Sequence, residues 1–191
     1  MAPHAATPRP DDPAASLVLI GLRASGKSTV GRRVAARLSR TFVDLDDRTP
    51  ALLGVGSAAD AINLHGLGAF RDAERAALEE ALAECAGAPA VLALGGGTPT
   101  APGATKLMRD AQSRGVIRVV YLHATPGVLR DRLSATDTTT RPSLTGADLL
   151  DEVETIYLQR DPLYRGLADA VLESDGGDQE RLVNRVAELA I

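Results

Sequence analysis

The chain has 191 residues, of which 45% are hydrophobic and 24% are charged, a composition that suits one globular domain with a single sizeable core. The formal net charge of -4 argues against a generally basic surface for nucleic acid. No stretch approaches the ~18 apolar residues of a membrane span, and the lone cysteine excludes an internal disulfide framework. We therefore expect a cytoplasmic protein that acts as a monomer, with no nucleic-acid or membrane partner.

The first elements of the chain are a tail, a strand and a helix. Residues 1–15 are rich in proline and small polar side chains, which predicts a disordered tail, so residues 16–191 are expected to form one domain. The continuous apolar run 16–20 predicts a buried strand, and the helical spacing of apolar residues over 27–40 predicts the helix that follows. Gly31 inside this helix indicates close packing against the sheet.

Strands and helices alternate through the rest of the chain. Further strands are predicted at 41–44, 90–94, 116–122 and 169–172, and further helices at 57–65, 69–86, 104–113, 126–133, 149–167 and 178–189. This alternation predicts an α/β fold in three layers, a parallel sheet between helices, with ligands bound at the carboxyl ends of the strands. The threonine-rich segment 134–146 predicts a mobile loop.

The first loop after a predicted strand carries a complete Walker A pattern, Gly-Leu-Arg-Ala-Ser-Gly-Lys-Ser, at residues 21–28. Backbone N–H groups in such a loop surround phosphate oxygens, and the positive end of the next helix points at them. The pattern predicts that Lys27 reaches the β- and γ-phosphates of ATP and that Ser28 offers its hydroxyl to Mg²⁺. Contacts to the nucleotide are expected at Gly21, Ala24, Ser25, Gly26, Lys27, Ser28 and Thr29.

Two carboxylates follow the second predicted strand. If the strand continues, Asp44 and Asp46 project to one side and Asp47 to the other. One carboxylate can then hold Mg²⁺ and the other can bind and orient an acceptor hydroxyl, as phosphoryl transfer requires. A solvated acidic turn or a helix cap is the alternative.

Candidate substrate groups lie further along the chain. Arg71 and Glu74 have helical i, i+3 spacing, so the carboxylate can aim the guanidinium at a substrate carboxylate, or the two can form an ordinary surface ion pair. The glycines at 95–97 allow a ligand to approach the backbone, or form a plain turn. Arg141 in the threonine-rich loop can close over the nucleotide or be solvated, and Arg160 near 162–164 is ambiguous by itself.

Six segments in register resemble the shikimate kinases, a branch of the nucleoside-monophosphate-kinase-like P-loop enzymes. They are the residues 21–32, the Val-Asp-Leu-Asp of 43–46, the Phe-Arg-x-x-Glu of 70–74, the Leu-Gly-Gly-Gly of 94–97, the Arg-Pro-x-Leu of 141–144 and the Arg-x-Pro-Leu-Tyr of 160–164. The resemblance implies a five-stranded parallel sheet of order 2-3-1-4-5, a substrate-binding region at about 47–86 and a lid at about 134–146.

The resemblance also implies an activity and roles for individual residues. The implied reaction is transfer of the γ-phosphoryl group of MgATP to the 3-hydroxyl of shikimate, in chorismate and aromatic amino-acid biosynthesis. Catalysis is implied for Asp46, Lys27 and Arg141, and shikimate binding for Asp46, Arg71, Gly95, Gly96, Gly97 and Arg160. Asp44 is implied to help Ser28 hold Mg²⁺, and Arg132, in competition with Arg130, is implied to lie along the adenine.

The chain departs from the family pattern at three positions. Ala24 and Leu67 stand where the family usually has glycine and glutamate, and Ser143 stands where an apolar residue is usual. Nucleotide binding is expected to survive Ala24 provided that the backbone there does not need a positive φ. Two further functions remain open at this stage, a related kinase for another polyol acid such as gluconate and a regulatory module that binds ATP without turnover.

Overall fold

The computed structural model describes residues 14–135 and 149–190. Five strands form one fully parallel sheet: β1 (Ser16–Ile20), β2 (Thr41–Asp44), β3 (Ala90–Ala93), β4 (Ile117–His123) and β5 (Ala170–Glu173). Their order across the sheet is β2-β3-β1-β4-β5. This confirms the expected fold and strand order, and it places the Walker A loop at the carboxyl end of the central strand.

Seven α-helices connect or flank these strands within the described residues. They are α1 (Lys27–Leu38), α2 (Leu45–Leu52), α3 (Ala58–Gly87), α4 (Ala104–Ser113), α5 (Pro126–Ser134), α6 (Leu149–Leu167) and α7 (Gln179–Glu188). Helix α2 was not expected from the sequence, and the two helices expected at 57–65 and 69–86 are one helix with a kink at Gly66, where φ is 82°. The kink accounts for the interruption of the helical pattern between them.

The core lies on both faces of the sheet, because alternate residues of a strand point in opposite directions. Val18 and Ile20 pack with buried side chains of α3, α4 and α6, whereas Leu17 and Leu19 pack with those of α1 and α7. A Cβ on Gly31 would lie 2.5 Å from a ring atom of Phe42. The close approach of α1 to the sheet expected from Gly31 is therefore confirmed.

Two of the predicted segments lie largely outside the described residues. These are the N-terminal tail, apart from residues 14 and 15, and the lid at 134–146, apart from residues 134 and 135. Arg141 and Ser143 belong to the second segment. Among the residues that are described, no helix has both the length and the apolar composition needed to cross a membrane.

Candidate active site

A cavity of about 460 Å³ opens at the carboxyl ends of the central strands. Its donor side is the loop between β1 and α1, and its other side is formed by α2, α3, the glycine segment after β3 and α6. Of the residues to which the sequence assigned a role, this cavity is lined by Ala24, Gly26, Lys27, Ser28, Thr29, Asp46, Glu74, Gly96, Gly97 and Arg160, whereas Gly21, Ser25, Asp44, Arg71, Gly95 and Arg132 are not part of its lining. The fold thus brings predicted nucleotide and acceptor groups into one continuous space.

The Walker A loop turns sharply between β1 and α1. Gly26 adopts a left-handed conformation with φ 93°, and its carbonyl accepts the first hydrogen bond of α1, from the N–H of Val30. The buried side chain of Lys27 folds back, so that Nζ donates to the carbonyl oxygens of Gly21 at 3.0 Å and Leu22 at 2.9 Å. These bonds hold an ammonium group at the mouth of the loop, where it can meet phosphate oxygens.

The acidic pair after β2 is arranged differently from the extended geometry considered in the sequence. The strand ends at Asp44, whose Oδ1 caps α2 by accepting from the N–H of Asp46 at 3.1 Å. Asp46 is therefore in the first helical turn, and it lines the cavity together with Asp47. The helix cap that the sequence allowed as an alternative is therefore present at Asp44. Asp46 faces the space where an acceptor would lie.

Arg71 and Glu74 form an ion pair on the inner side of α3. Arg71 Nη1 donates to Glu74 Oε2, and Thr98 Oγ1 donates to the other carboxylate oxygen at 3.0 Å. Burial raises the pKa of Glu74, an effect that the positive charge of Arg71 and the two hydrogen bonds oppose. Because Glu74 is only 4% exposed, this is not the weak surface pair that the spacing alone also allowed.

The glycine segment after β3 is compact because atoms of neighbouring residues occupy the space that a Cβ would need. A Cβ on Gly97 would lie 2.2 Å from Nη1 of Arg71, and one on Gly95 would lie 2.8 Å from Oδ1 of Asp46. A Cβ on Gly96 would lie 3.3 Å from the backbone nitrogen of Arg23 in the Walker A loop. The three glycines therefore let the acceptor side and the phosphate loop approach one another.

Helix α6 is fastened to this glycine segment. Arg160 Nη1 donates to the carbonyl oxygen of Gly96 at 2.7 Å, and the Tyr164 hydroxyl donates to the same oxygen. Burial raises the pKa of Tyr164 to about 12, so its hydroxyl keeps its proton at physiological pH. Arg160 is thus held at the cavity wall, with its guanidinium beside the segment that Arg71 also contacts.

Arg132 joins the phosphate loop to the end of the sheet. Its guanidinium donates to the carbonyl oxygens of Ala24 at 3.2 Å and Ser174 at 2.5 Å, whereas Arg130 is exposed. Arg132 is therefore the better placed of the two arginines to border a nucleotide in the loop. Gly21 and Ser25 support the turn from within, where a Cβ on Gly21 would lie 2.6 Å from Ser25 Oγ.

A family model described as "Shikimate kinase" matches residues 23–190. The chain belongs to the shikimate kinase family. It is 39% identical over 165 residues to a shikimate kinase from Paracidovorax citrulli, a match that covers 86% of this chain and 85% of the relative.

Solved structures lead to the same family. Shikimate kinase from Acinetobacter baumannii in complex with shikimate superposes with a TM-score of 0.80 at 27% identity, over 92% of each chain. A gluconokinase from Sinorhizobium meliloti gives a TM-score of 0.65 at 18% identity, over 93% of this chain and 91% of its own, a likeness that shows the fold alone. The family, and with it an ATP-dependent kinase, is therefore established by sequence as well as by fold.

Some cavity residues had no role assigned to them from the sequence. These are Arg23, Asp47, Gly56, Ser57, Ala58, Ile62 and Phe70. Gly56, Ser57, Ala58 and Ile62 belong to the start of α3 and the loop before it, and Asp47 lies in the first turn of α2, which was not predicted because Pro50 interrupts its pattern. The acidic residues at 46 and 47 after a capping aspartate are the sequence signal that could have located this helix.

The departures from the family pattern have different consequences. Leu67 is an exposed residue just after the kink in α3, and the Arg71–Glu74 pair still forms one turn later, so the geometry of this pair is retained. Ala24, by contrast, has φ 64°. The proviso that position 24 needs no positive φ is therefore not met, and alanine adopts a conformation that costs an L-residue about 1–2 kcal/mol.

Replacing Ala24 by glycine should stabilise the protein. The strain relieved exceeds the extra entropy of glycine in the unfolded chain, about 0.5–1 kcal/mol, so the free energy of unfolding should rise by up to about 1 kcal/mol and Tm by up to about 2–4 °C. Ser39→Gly is the matched control, because Ser39 also has a positive φ, 52°, at the opposite end of α1. A fall in Tm for Ala24→Gly alone would mean that the packing of the Ala24 methyl group outweighs its backbone strain.

Proposed function

We propose that this protein transfers the γ-phosphoryl group of MgATP to the 3-hydroxyl of shikimate, giving shikimate 3-phosphate and ADP. The observation that carries the proposal is the single cavity that joins Lys27 and Ser28 to Asp46, Glu74 and Arg160. A phosphoryl donor and a small acceptor can share this cavity, which suits a reaction that depends on positioning and electrostatics. Membership of the shikimate kinase family supports shikimate as the acceptor.

The donor side holds ATP through the Walker A loop. Backbone N–H groups of residues 24–29 bind the phosphate oxygens at the positive end of α1, and Lys27 steadies the γ-phosphate as charge develops on it. Arg132 lies along the adenine, supported by its place between Ala24 and Ser174. Arg141, which lies outside the described residues, belongs to the lid that closes over the nucleotide.

The chemistry of the donor set fits Mg²⁺. Ser28 offers a hydroxyl oxygen at the cavity and Asp44 a carboxylate close behind Asp46, and Mg²⁺ is usually held by one or two such groups together with phosphates and water. Such an ion neutralises phosphate charge when it is bound with ATP. The described residues include no cluster of three or more histidine, cysteine or acidic side chains that could hold a metal without a nucleotide.

The acceptor side orients shikimate by its carboxylate and its hydroxyls. Arg71 and Arg160 bind the carboxylate, because both guanidinium groups converge on the glycine segment from α3 and α6. Asp46 accepts the proton of the 3-hydroxyl as the oxygen attacks the γ-phosphate. Gly96 and Gly97 form the backbone wall of the cavity beside which the ring lies.

An assay of ADP formation from MgATP, with shikimate, quinate and gluconate offered separately, tests this proposal. ADP formation that depends on shikimate is expected, and the Lys27→Ala variant measured in parallel shows how much turnover comes from contaminating ATPases. Turnover with gluconate instead would assign the related sugar-acid kinase activity. ATP binding without turnover of any of the three would assign a regulatory module.

We place the reaction in the cytoplasm, in chorismate and aromatic amino-acid biosynthesis, carried out by a monomer with no nucleic-acid partner. The acidic net charge and the family membership support this placement. Size-exclusion chromatography with light scattering tests the oligomeric state.

A further inference from the structure

Thr98 lies just behind the acceptor side of the cavity. It is the first residue of a single 3₁₀ turn, Thr98–Thr100, that follows the three glycines, and it is only 1% exposed. Its hydroxyl donates to Oε1 of Glu74 at 3.0 Å, linking the segment after β3 to helix α3. A buried hydroxyl that donates its hydrogen bond to one carboxylate oxygen fixes the orientation of that carboxylate.

Glu74 needs this help because of where it lies. Burial and the negative charge of Asp46 raise its pKa, while the charge of Arg71 and the hydrogen bonds from Arg71 and Thr98 lower it. Oε2 of Glu74 accepts a hydrogen bond from Arg71 and Oε1 accepts one from Thr98, so each carboxylate oxygen has its own donor. Losing either donor favours the protonated form of Glu74, which cannot pair with Arg71 as a charge.

The side chains of Asp46, Glu74 and Thr98 meet at Gly95. A Cβ placed there would lie 2.8 Å from Asp46 Oδ1, 2.9 Å from Thr98 Oγ1 and 3.3 Å from Glu74 Oε1. Thr98 therefore donates to Glu74, the carboxylate that orients Arg71, and lies close to Asp46, the carboxylate that faces the acceptor hydroxyl. The Thr98 hydroxyl thus lies between the Arg71–Glu74 pair, which is proposed to bind the substrate carboxylate, and Asp46, which is proposed to orient the acceptor hydroxyl.

We propose that Thr98 is a positioning residue for the acceptor, whose hydroxyl fixes Glu74 and, through Glu74, the guanidinium of Arg71. The inference rests on the proposed function, because Arg71 is taken to bind the substrate carboxylate. Thr98 itself is not among the residues that line the cavity. Its removal should therefore weaken acceptor binding and leave the nucleotide side unchanged.

The decisive variant is Thr98→Val, which replaces the hydroxyl by a methyl group of similar size. KM for shikimate should rise about tenfold, the worth of a hydrogen bond to a charged group, while KM for ATP stays within about twofold. The acid limb of kcat/KM for shikimate should move to higher pH, because Glu74 without its donor binds a proton more readily. Thr98→Ser, which keeps the hydroxyl, should restore both quantities.

Thr105→Val is the matched control. Thr105 Oγ1 donates at 3.1 Å to the carbonyl oxygen of Pro99, which belongs to the same short turn as Thr98. This hydrogen bond does not involve Glu74. Thr105→Val should leave KM for shikimate and the acid limb unchanged. Equal effects of Thr98→Val and Thr105→Val would reduce Thr98 to a structural part of the turn and overturn the proposal.

A double-mutant cycle and a direct titration complete the test. In a Glu74→Gln background, Thr98→Val should add little to the rise in KM, since the carboxylate through which it acts is gone. Carbon-detected NMR of the Glu74 carboxyl should show a higher pKa in Thr98→Val than in the wild type. If Thr98→Val does not fold, Thr98→Ala serves in both experiments.

The outcomes separate this inference from the proposed function. A wild type that does not turn over shikimate overturns both. A wild type that does so, with Thr98→Val matching it in KM and pH profile, overturns only the role of Thr98. Additive effects in the cycle would likewise contradict a path through Glu74.

Discussion

The Asp46→Asn variant is expected to lose a factor of about 10²–10⁴ in kcat, the typical worth of a positioned acid–base group, with KM for ATP nearly unchanged. Asp46 lies in the first turn of α2, where the cap from Asp44 holds its backbone, and its carboxylate lies beside Gly95 at the cavity wall. Asparagine keeps the shape of the side chain but accepts a proton far less readily. Steady-state kinetics with each substrate varied in turn would measure the loss.

Asp47→Asn provides the comparison for this loss. It removes the same charge from the next residue, but the side chain of Asp47 is 78% exposed and faces Arg32, 3.8 Å away. We expect a loss in kcat of less than about tenfold, because an exposed ion pair of this kind contributes little. Equal losses in kcat for the two variants would mean that Asp46 contributes only negative charge to this region. A matching loss of ATP affinity in Asp46→Asn would place Asp46 on the nucleotide side.

The Arg71→Met variant is expected to raise KM for shikimate by about 30-fold or more. Arg71 is proposed to bind the substrate carboxylate, and losing a hydrogen bond between charged groups costs about 2 kcal/mol or more of binding free energy. The variant also leaves Glu74 without its counter-charge, so burial and the negative charge of Asp46, which raise the pKa of Glu74, are opposed only by the hydrogen bond from Thr98. Initial rates at saturating MgATP, with shikimate varied, would give the change in KM.

Arg75→Met is the control on the same helix. Arg75 is 44% exposed and pairs with Glu79 one turn further along, at 3.3 Å. Its loss should leave KM for shikimate unchanged and the free energy of unfolding nearly so. A similar rise in KM for both variants would mean that helix α3 is disturbed as a whole, and unchanged KM in Arg71→Met would remove Arg71 from the acceptor site.

The sequence predicted the sheet well because local patterns determine it. Short apolar and β-branched runs predicted all five strands to within a residue at each end, and the Walker A pattern placed the turn after β1. The strand order came from the family resemblance, since hydrophobic patterns do not specify which strands pair. Family motifs also named Arg71, the three glycines and Arg160, and the fold brings both arginines against the glycine segment.

The parts that the sequence did not reveal depend on contacts between distant residues or on backbone angles. Thr98 and Glu74 are 24 residues apart, and no local pattern predicts that a threonine in a turn will bond to a carboxylate on a helix. The Walker pattern leaves position 24 open, so it gives no sign that Ala24 has a positive φ. Helix α2 was missed because Pro50 argues against a helix interior, although tertiary packing tolerates it here.

The packing of the last helix against the first has a consequence for the order of events on the ribosome. Helix α7 covers α1 with Val183 and Val186, and Arg40, just beyond α1, donates to the carbonyl oxygen of Ala190 at 3.3 Å. Ser174, after the last strand, holds Arg132 against the phosphate loop. The loop precedes these supports by about 150 residues, so a nascent chain acquires its nucleotide site only after β5 and α7 have been made.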